Sequence, residues 1–110
     1  MIPGPPKKTD SIEPITLDLD SYVKVFKALG NPHRLAIFRR LVQAGDAPVS
    51  VGELGADTDL APSTVSHHLK ELSAAGLITA QRQGQRIDCR VEPSALAALQ
   101  GLPVFLSIKD

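Results

Sequence analysis

A mostly α-helical fold with one small β-hairpin, ordered α-α-α-α-β-β-α and dimeric, is what this 110-residue sequence predicts. Three observations carry that prediction. Apolar residues recur at helical spacing in separate stretches, most of them bounded by an Asn, Ser or Pro at the start and a Gly at the end. Two runs of alternating character, "LITAQRQ" and "RIDCRV", flank Gly84-Gln85 as the arms of a hairpin do. Apolar side chains at both ends of the chain outnumber the interior places that a domain of this size offers, so a second copy is expected to cover them.

The elements follow in order. Residues 1–16 hold Pro3, Pro5, Pro6 and Pro14 with Gly4, Lys7 and Lys8, and are read as a flexible arm with little to bury. Residues 17–110 form the folded domain. Its first helix starts near Leu17, carries Leu19, Tyr22, Val23, Phe26 and Leu29 as an apolar stripe, and ends at Gly30. Asn31 as N-cap and Pro32 at the first helical position start the second helix. Leu35, Ile37, Phe38, Leu41 and Val42 fill it, and Gly45 closes it. Val49 and Val51 suit a very short strand. Ser50 and Glu53 have the spacing of a capping box, so a short third helix starts at Ser50 and ends near Asp57 to Asp59. After a short turn, Pro62 opens a fourth helix that Gly76 ends. Two helices in tandem across a short turn make a helix-turn-helix. A hairpin directly after it makes a winged helix. The last helix begins near Pro93, Pro103 interrupts it, and an apolar end follows.

Bulk composition bounds the function. Lys+Arg and Asp+Glu are 12 each, so a general polyanion binder is not expected, although a locally basic face is. A single Cys excludes an internal disulfide. No apolar run approaches the roughly 18 residues of a membrane helix, and the N-terminus lacks the apolar core of a signal peptide. A soluble, cytoplasmic protein is expected.

The fourth helix, "APSTVSHHLKELSAAG", carries the chemistry. Val65, Leu69 and Leu72 fall at i, i+4 and i+7 and define its buried stripe, with His68 beside it. Ser63, Thr64, Ser66, His67 and Lys70 then form an exposed face of hydroxyls, an imidazole and an ammonium. In a helix-turn-helix the second helix enters the major groove of DNA, and such groups meet base edges and phosphates there. Arg82 and Arg86 on the hairpin add positive charge. Between Pro62 and Arg90 stand Lys70, Arg82, Arg86 and Arg90 against only Glu71 and Asp88, in a chain of zero formal net charge. Those seven residues, Ser63, Thr64, Ser66, His67, Lys70, Arg82 and Arg86, are the candidate contacts to double-stranded DNA. Leu19, Tyr22, Val23 and Phe26 in the first helix, with Leu96, Leu99, Leu102 and Phe105 near the end, are the candidate dimer interface.

"ALGNPHRLAIFRRL", "PSTVSHHLKELSAAGLI" and "RQGQRIDCRV" together resemble the ArsR/SmtB family of bacterial winged-helix repressors, from about Phe26 to Val91. The resemblance implies a homodimer joined by its first and last helices. It also implies an imperfect palindromic operator and release by an inducer. Many members bind metal through a Cys-x-Cys pair, and Ser50 and Gly52 stand in those positions here. Others use Asp and His on the last helix, but no His follows His68, and the late acids are Glu92 and Asp110. Neither familiar metal site is present, and no cofactor is expected. His67 and His68 are adjacent and diverge by about 100° on a helix, so they do not chelate one ion together. His33, just after a helix-starting Pro, is read as structural.

Cys89 alternates with Ile87 and Val91, away from Arg86 and Arg90, and is read as a small apolar residue packed under the wing. An enzyme is not expected. There is no Gly-rich phosphate loop, and Ser66 and His67 are helix neighbours that cannot face each other as nucleophile and base. Two alternatives remain open. One is a winged-helix protein-interaction module that does not bind DNA. The other is a regulator switched by oxidation of Cys89 alone.

Overall fold

The computed structural model describes residues 13–109. Six helices and a three-stranded sheet follow one another as α1 (Leu19–Leu29), α2 (Pro32–Ala44), β1 (Val49–Ser50), α3 (Val51–Thr58), α4 (Pro62–Ala74), β2 (Ile78–Gln83), β3 (Arg86–Val91), α5 (Pro93–Gln100) and α6 (Leu102–Ser107). This is the expected winged helix-turn-helix.

Local chemistry explains the boundaries. Asp18 caps α1 by accepting from the Ser21 N–H at 2.7 Å. Asn31 caps α2 by accepting from both His33 and Arg34 N–H groups. At α3 the capping box is complete. Ser50 Oγ accepts from Glu53 N–H at 3.1 Å, and a Glu53 carboxylate oxygen accepts from Ser50 N–H at 2.8 Å. The turn from α3 to α4 is Asp59, Leu60 and Ala61, and Asp59 takes a left-handed φ of 57° that a short polar side chain tolerates.

The sheet is antiparallel in the order β1-β3-β2, so the short strand suggested by Val49 exists and pairs Val49 with Cys89 and Ser50 with Asp88. In the hairpin, Ile78 pairs with Val91 and Gln83 with Arg86. Gly84 takes φ of 63° at the first position of the two-residue turn, which suits a residue without Cβ. The core joins all three layers. Ile37 and Leu41 of α2, Leu54 of α3, Val65, Leu69 and Leu72 of α4, and Val49 and Cys89 of the sheet are buried together.

Three local features differ from expectation. The C-terminal break falls at Gly101 rather than at Pro103. Pro103 sits in the first turn of α6, where its missing N–H and fixed φ are tolerated. Tyr22 is not on the open apolar face of α1. It is 2% exposed, its hydroxyl donates to the Ala98 carbonyl at 2.7 Å, and its ring lies 4.5 Å from that of Phe105. The N-terminal arm lies mostly outside the described residues. Within them, Ile15 N–H donates to the Ala97 carbonyl at 3.0 Å, and the Ile15 backbone passes so close to Gly101 that a Cβ there would overlap its carbonyl. Gly101 is therefore required by a close approach, not by its φ of −82°.

Candidate nucleic-acid interface

Helix α4 is held from beneath and open above. Val65, Leu69 and Leu72 are buried, whereas Ser63, Thr64, Ser66, His67 and Lys70 are all exposed. The five form one continuous face over the first two to three turns. The N-terminus of α4 differs from those of α1, α2 and α3 in having no side-chain cap: Ala61 stands at the N-cap and Pro62 follows. Its first N–H groups are free of side-chain acceptors, which together with the helix dipole favours an anion.

The wing separates its two arginines. Paired residues in an antiparallel ladder project to the same side, and Arg82 pairs with Ile87 as Ala80 pairs with Cys89. Arg82 therefore projects to the side of the sheet that packs on α4, beyond Ile87. Arg86 projects to the other side with Asp88. It is tied there by an ion pair to the Asp88 carboxylate and by a second to Glu53 at 3.9 Å. Asp88 raises the affinity of the Arg86 guanidinium for its proton, and Glu53 adds to that. Much of its charge is thus answered within the chain. Arg82 and Lys70 have no ion pair among the described residues, so their charges are open to a phosphate. Arg90 is anchored to the Asp46 carbonyl at 3.2 Å.

His68 links α4 to α2. Arg34 Nη1 lies 3.5 Å from its Nδ1, and the rings of His33 and His67 stand 5.7 Å and 5.8 Å from its ring. Arg34 is itself fixed by donating to the Ala28 carbonyl at 2.6 Å. His33 is exposed rather than packed. Burial holds the His68 imidazole below its ordinary pKa of 6.5, Arg34 adds to that, His33 and His67 follow, and Glu71 opposes them. The folded chain therefore resists a proton that the unfolded chain accepts. Stability should be full above pH 6.5, fall as pH drops through that value, and level off below the folded-state pKa. Melting temperatures between about pH 7.5 and 5.5 should show a shallower pH dependence for His68→Gln than for the wild type.

Cys89 is fully buried between Val49 and Ala80 of the flanking strands. Burial pushes its thiol up to about 11, and the neighbouring Asp88 carboxylate adds to the shift. A thiol held protonated and shielded should be labelled slowly by a thiol reagent in the folded protein. Cys89→Ser should leave DNA affinity unchanged and lower stability by about 1–3 kcal/mol, because a hydroxyl replaces sulfur in an apolar site. Fast labelling, with peroxide-dependent loss of DNA binding that Cys89→Ser removes, would reverse this assignment. No cluster of three or more His, Cys, Asp or Glu able to hold a metal occurs among the described residues. No helix among them is long and apolar enough to cross a membrane.

The candidate pairing surface lies away from this face. On α1, Leu19, Val23 and Phe26 are exposed, Phe26 by 46%. Near the C-terminus Leu102 and Phe105 are half-buried, whereas Val104, Leu106 and Ile108 are exposed, Leu106 by 71%. Leu96 and Leu99 are half-buried and pack on the core of their own chain. Val104, Leu106 and Ile108 thus contribute more open apolar surface than Leu96 and Leu99 do.

Residues 29–81, from the end of α1 into the hairpin, match a helix-turn-helix domain family. The chain is 37% identical over 75 residues to the HTH-type transcriptional regulator YgaV of Escherichia coli, a match covering 68% of this chain and 74% of YgaV. It is 43% identical over 63 residues to the HTH-type transcriptional regulator YceK of Bacillus subtilis, where the match covers 57% of this chain and spans 61% of that relative. Among solved structures it is similar to the homodimeric winged helix-turn-helix DNA-binding domain of Mb0332 from Mycobacterium bovis, described as a possible ArsR-family transcriptional regulator. That similarity has a TM-score of 0.65 at 31% identity and covers 81% of this chain and 80% of the other. The chain belongs to the ArsR family of winged helix-turn-helix transcriptional regulators. Within this ArsR-family fold, α4 holds the place of the recognition helix and β2–β3 that of the wing.

Proposed function

We propose that this ArsR-family protein is a cytoplasmic transcriptional repressor, not an enzyme, that binds a palindromic operator as a homodimer. The observation that carries the reading is the face of α4. Five exposed donor and acceptor side chains, with no carboxylate among them, run along the helix from an N-terminus that lacks a side-chain cap. Ser63 and Thr64 lie nearest that N-terminus and suit phosphate. Ser66 and His67 lie one turn further along and Lys70 about two, where a recognition helix reaches base edges. Arg82 extends the cationic surface onto the wing, and Arg86 joins it by exchanging Asp88 for phosphate. Pairing through α1 and the C-terminal segment places two such helices on one duplex. The half-sites then lie about one helical turn apart, or a multiple of it.

Selection from a pool of random duplexes tests this reading. The bound fraction should converge on an inverted repeat, and binding should weaken steeply with salt. A pool that stays random after repeated rounds would show that the α4 face does not read sequence.

A further inference from the structure

Between α4 and the wing runs a groove of about 280 Å³ that shares Ser66 and Lys70 with the α4 face and whose apolar walls the contacts described so far leave unused. Its apolar walls come from three elements: Val51 of α3, Leu69 of α4, and Ala80 and Ile87 of the two wing strands. Its polar groups all stand on α4. Ser66, Lys70 and Ser73 are spaced at i, i+4 and i+7 and so share one stripe of the helix. No carboxylate is among the lining residues. Of the nearby acids, Asp88 lies on the other side of the hairpin with Arg86, Glu53 is in the α3 capping box, and Glu71, next to Lys70 but about 100° round the helix from it, acts on His68. The groove thus presents a hydrocarbon floor, two hydroxyls and one unpaired ammonium. Arg82 stands further out on the Ala80 side of the hairpin as a second cation.

We propose that this groove binds a small amphipathic carboxylate, a medium-chain fatty acid or an aryl-substituted acid, and that this ligand displaces DNA. The chemistry selects the class. An uncharged hydrocarbon would cover Lys70 without answering its charge, which costs free energy. A dicarboxylate or a sugar would set polar groups against Val51, Leu69 and Ile87. A monocarboxylate with a short apolar tail satisfies both, through a charge-assisted hydrogen bond from Lys70 to the carboxylate and burial of the tail. Size agrees, since a closed apolar cavity of ~150 Å³ takes one benzene ring. The groove holds a ring with a short chain, or about eight carbons. Ligand binding stands by itself, whereas the displacement of DNA rests on the function proposed above. Ser66 and Lys70 would serve both partners, so the ligand and the duplex would compete for the same atoms.

The test is an amide-resolved NMR titration of the free full-length protein with octanoate, phenylacetate and octan-1-ol. Octanoate and phenylacetate should give saturable shifts, with Kd below about 1 mM, clustered at Val51, Leu69, Ser73, Ala80 and Ile87. Octan-1-ol should bind at least about tenfold more weakly than octanoate, and Lys70→Gln should weaken octanoate by a similar factor. Ala80→Leu fills the groove and should abolish the clustered shifts, its fold being checked on the same spectrum. Should Ala80→Leu not fold, Lys70→Gln and the octanol comparison decide. Unsaturable or scattered shifts, equal binding of octanol, or binding that survives Ala80→Leu would overturn the proposal. The same titration on protein bound to its selected duplex separates the two readings. Octanoate binding in the groove of a protein that never binds DNA keeps the site and removes the operator. Operator binding with a groove indifferent to both acids does the reverse.

Discussion

Phe26→Glu is expected to leave a folded monomer and to abolish tight operator binding. Phe26 is 46% exposed and stacks on Tyr22 at a centroid separation of 6.2 Å, next to Val23 and Leu19 on an open apolar face. In a two-fold interface each substitution occurs twice. Two carboxylates would then lie in apolar surroundings with no partner, and each such charge costs several kcal/mol. The lone chain tolerates the change, because Glu is a good helix former and the site is partly open to water. Sedimentation at micromolar concentration should show a dimer for the wild type and a monomer for the variant. Operator affinity should fall by orders of magnitude, since a monomer holds one half-site instead of two. A variant that stays dimeric would place the pairing surface elsewhere.

Ser66→Ala with His67→Ala is expected to have the second largest effect. Each lost base contact costs about 1–3 kcal/mol of discrimination, and a dimer loses it in both half-sites. Preference for the selected duplex over an unrelated one should drop by roughly a hundredfold or more. The fold should survive, because both side chains are exposed and Val65, Leu69 and Leu72 still hold the helix down. Arg82→Ala should behave differently. It should weaken all duplexes alike and reduce the salt slope by about one per chain, as loss of a phosphate contact does. Retained preference in the double variant would show that bases are read by other residues.

The helices, the capping box and the hairpin were legible in the sequence because their signals are local. Asn31-Pro32, Ser50 with Glu53, and Gly84 each decide a boundary through neighbours within three residues. The open face of α4 was legible for the same reason, once its buried stripe was recognised. What was not legible depends on distant partners. Two apolar stripes coexist on α1, one through Tyr22, Val25 and Ala28 and one through Leu19, Val23 and Phe26. Helical spacing alone does not say which faces inward. The Tyr22 hydroxyl bond to Ala98, 76 residues away, decides it. The Arg34–His68 contact spans 34 residues, and no motif announces it. The opposite placement of Arg82 and Arg86, by contrast, follows from the Gly84-Gln85 turn through the register it sets. Pro103 is a stronger breaker than Gly101 by propensity, yet Pro suits the start of a helix, and Gly101 is where another backbone passes.

The surface proposed to meet DNA is the exposed side of α4, with the wing beside it. The most direct measurement is backbone hydrogen exchange of the protein free and bound to its selected duplex, resolved along the chain. Protection should rise in residues 62–70 and in the hairpin around Arg82 to Arg86, and should be unchanged in α6. Protection confined to α1 and α6, with residues 62–70 exchanging as fast as in the free protein, would contradict the claim.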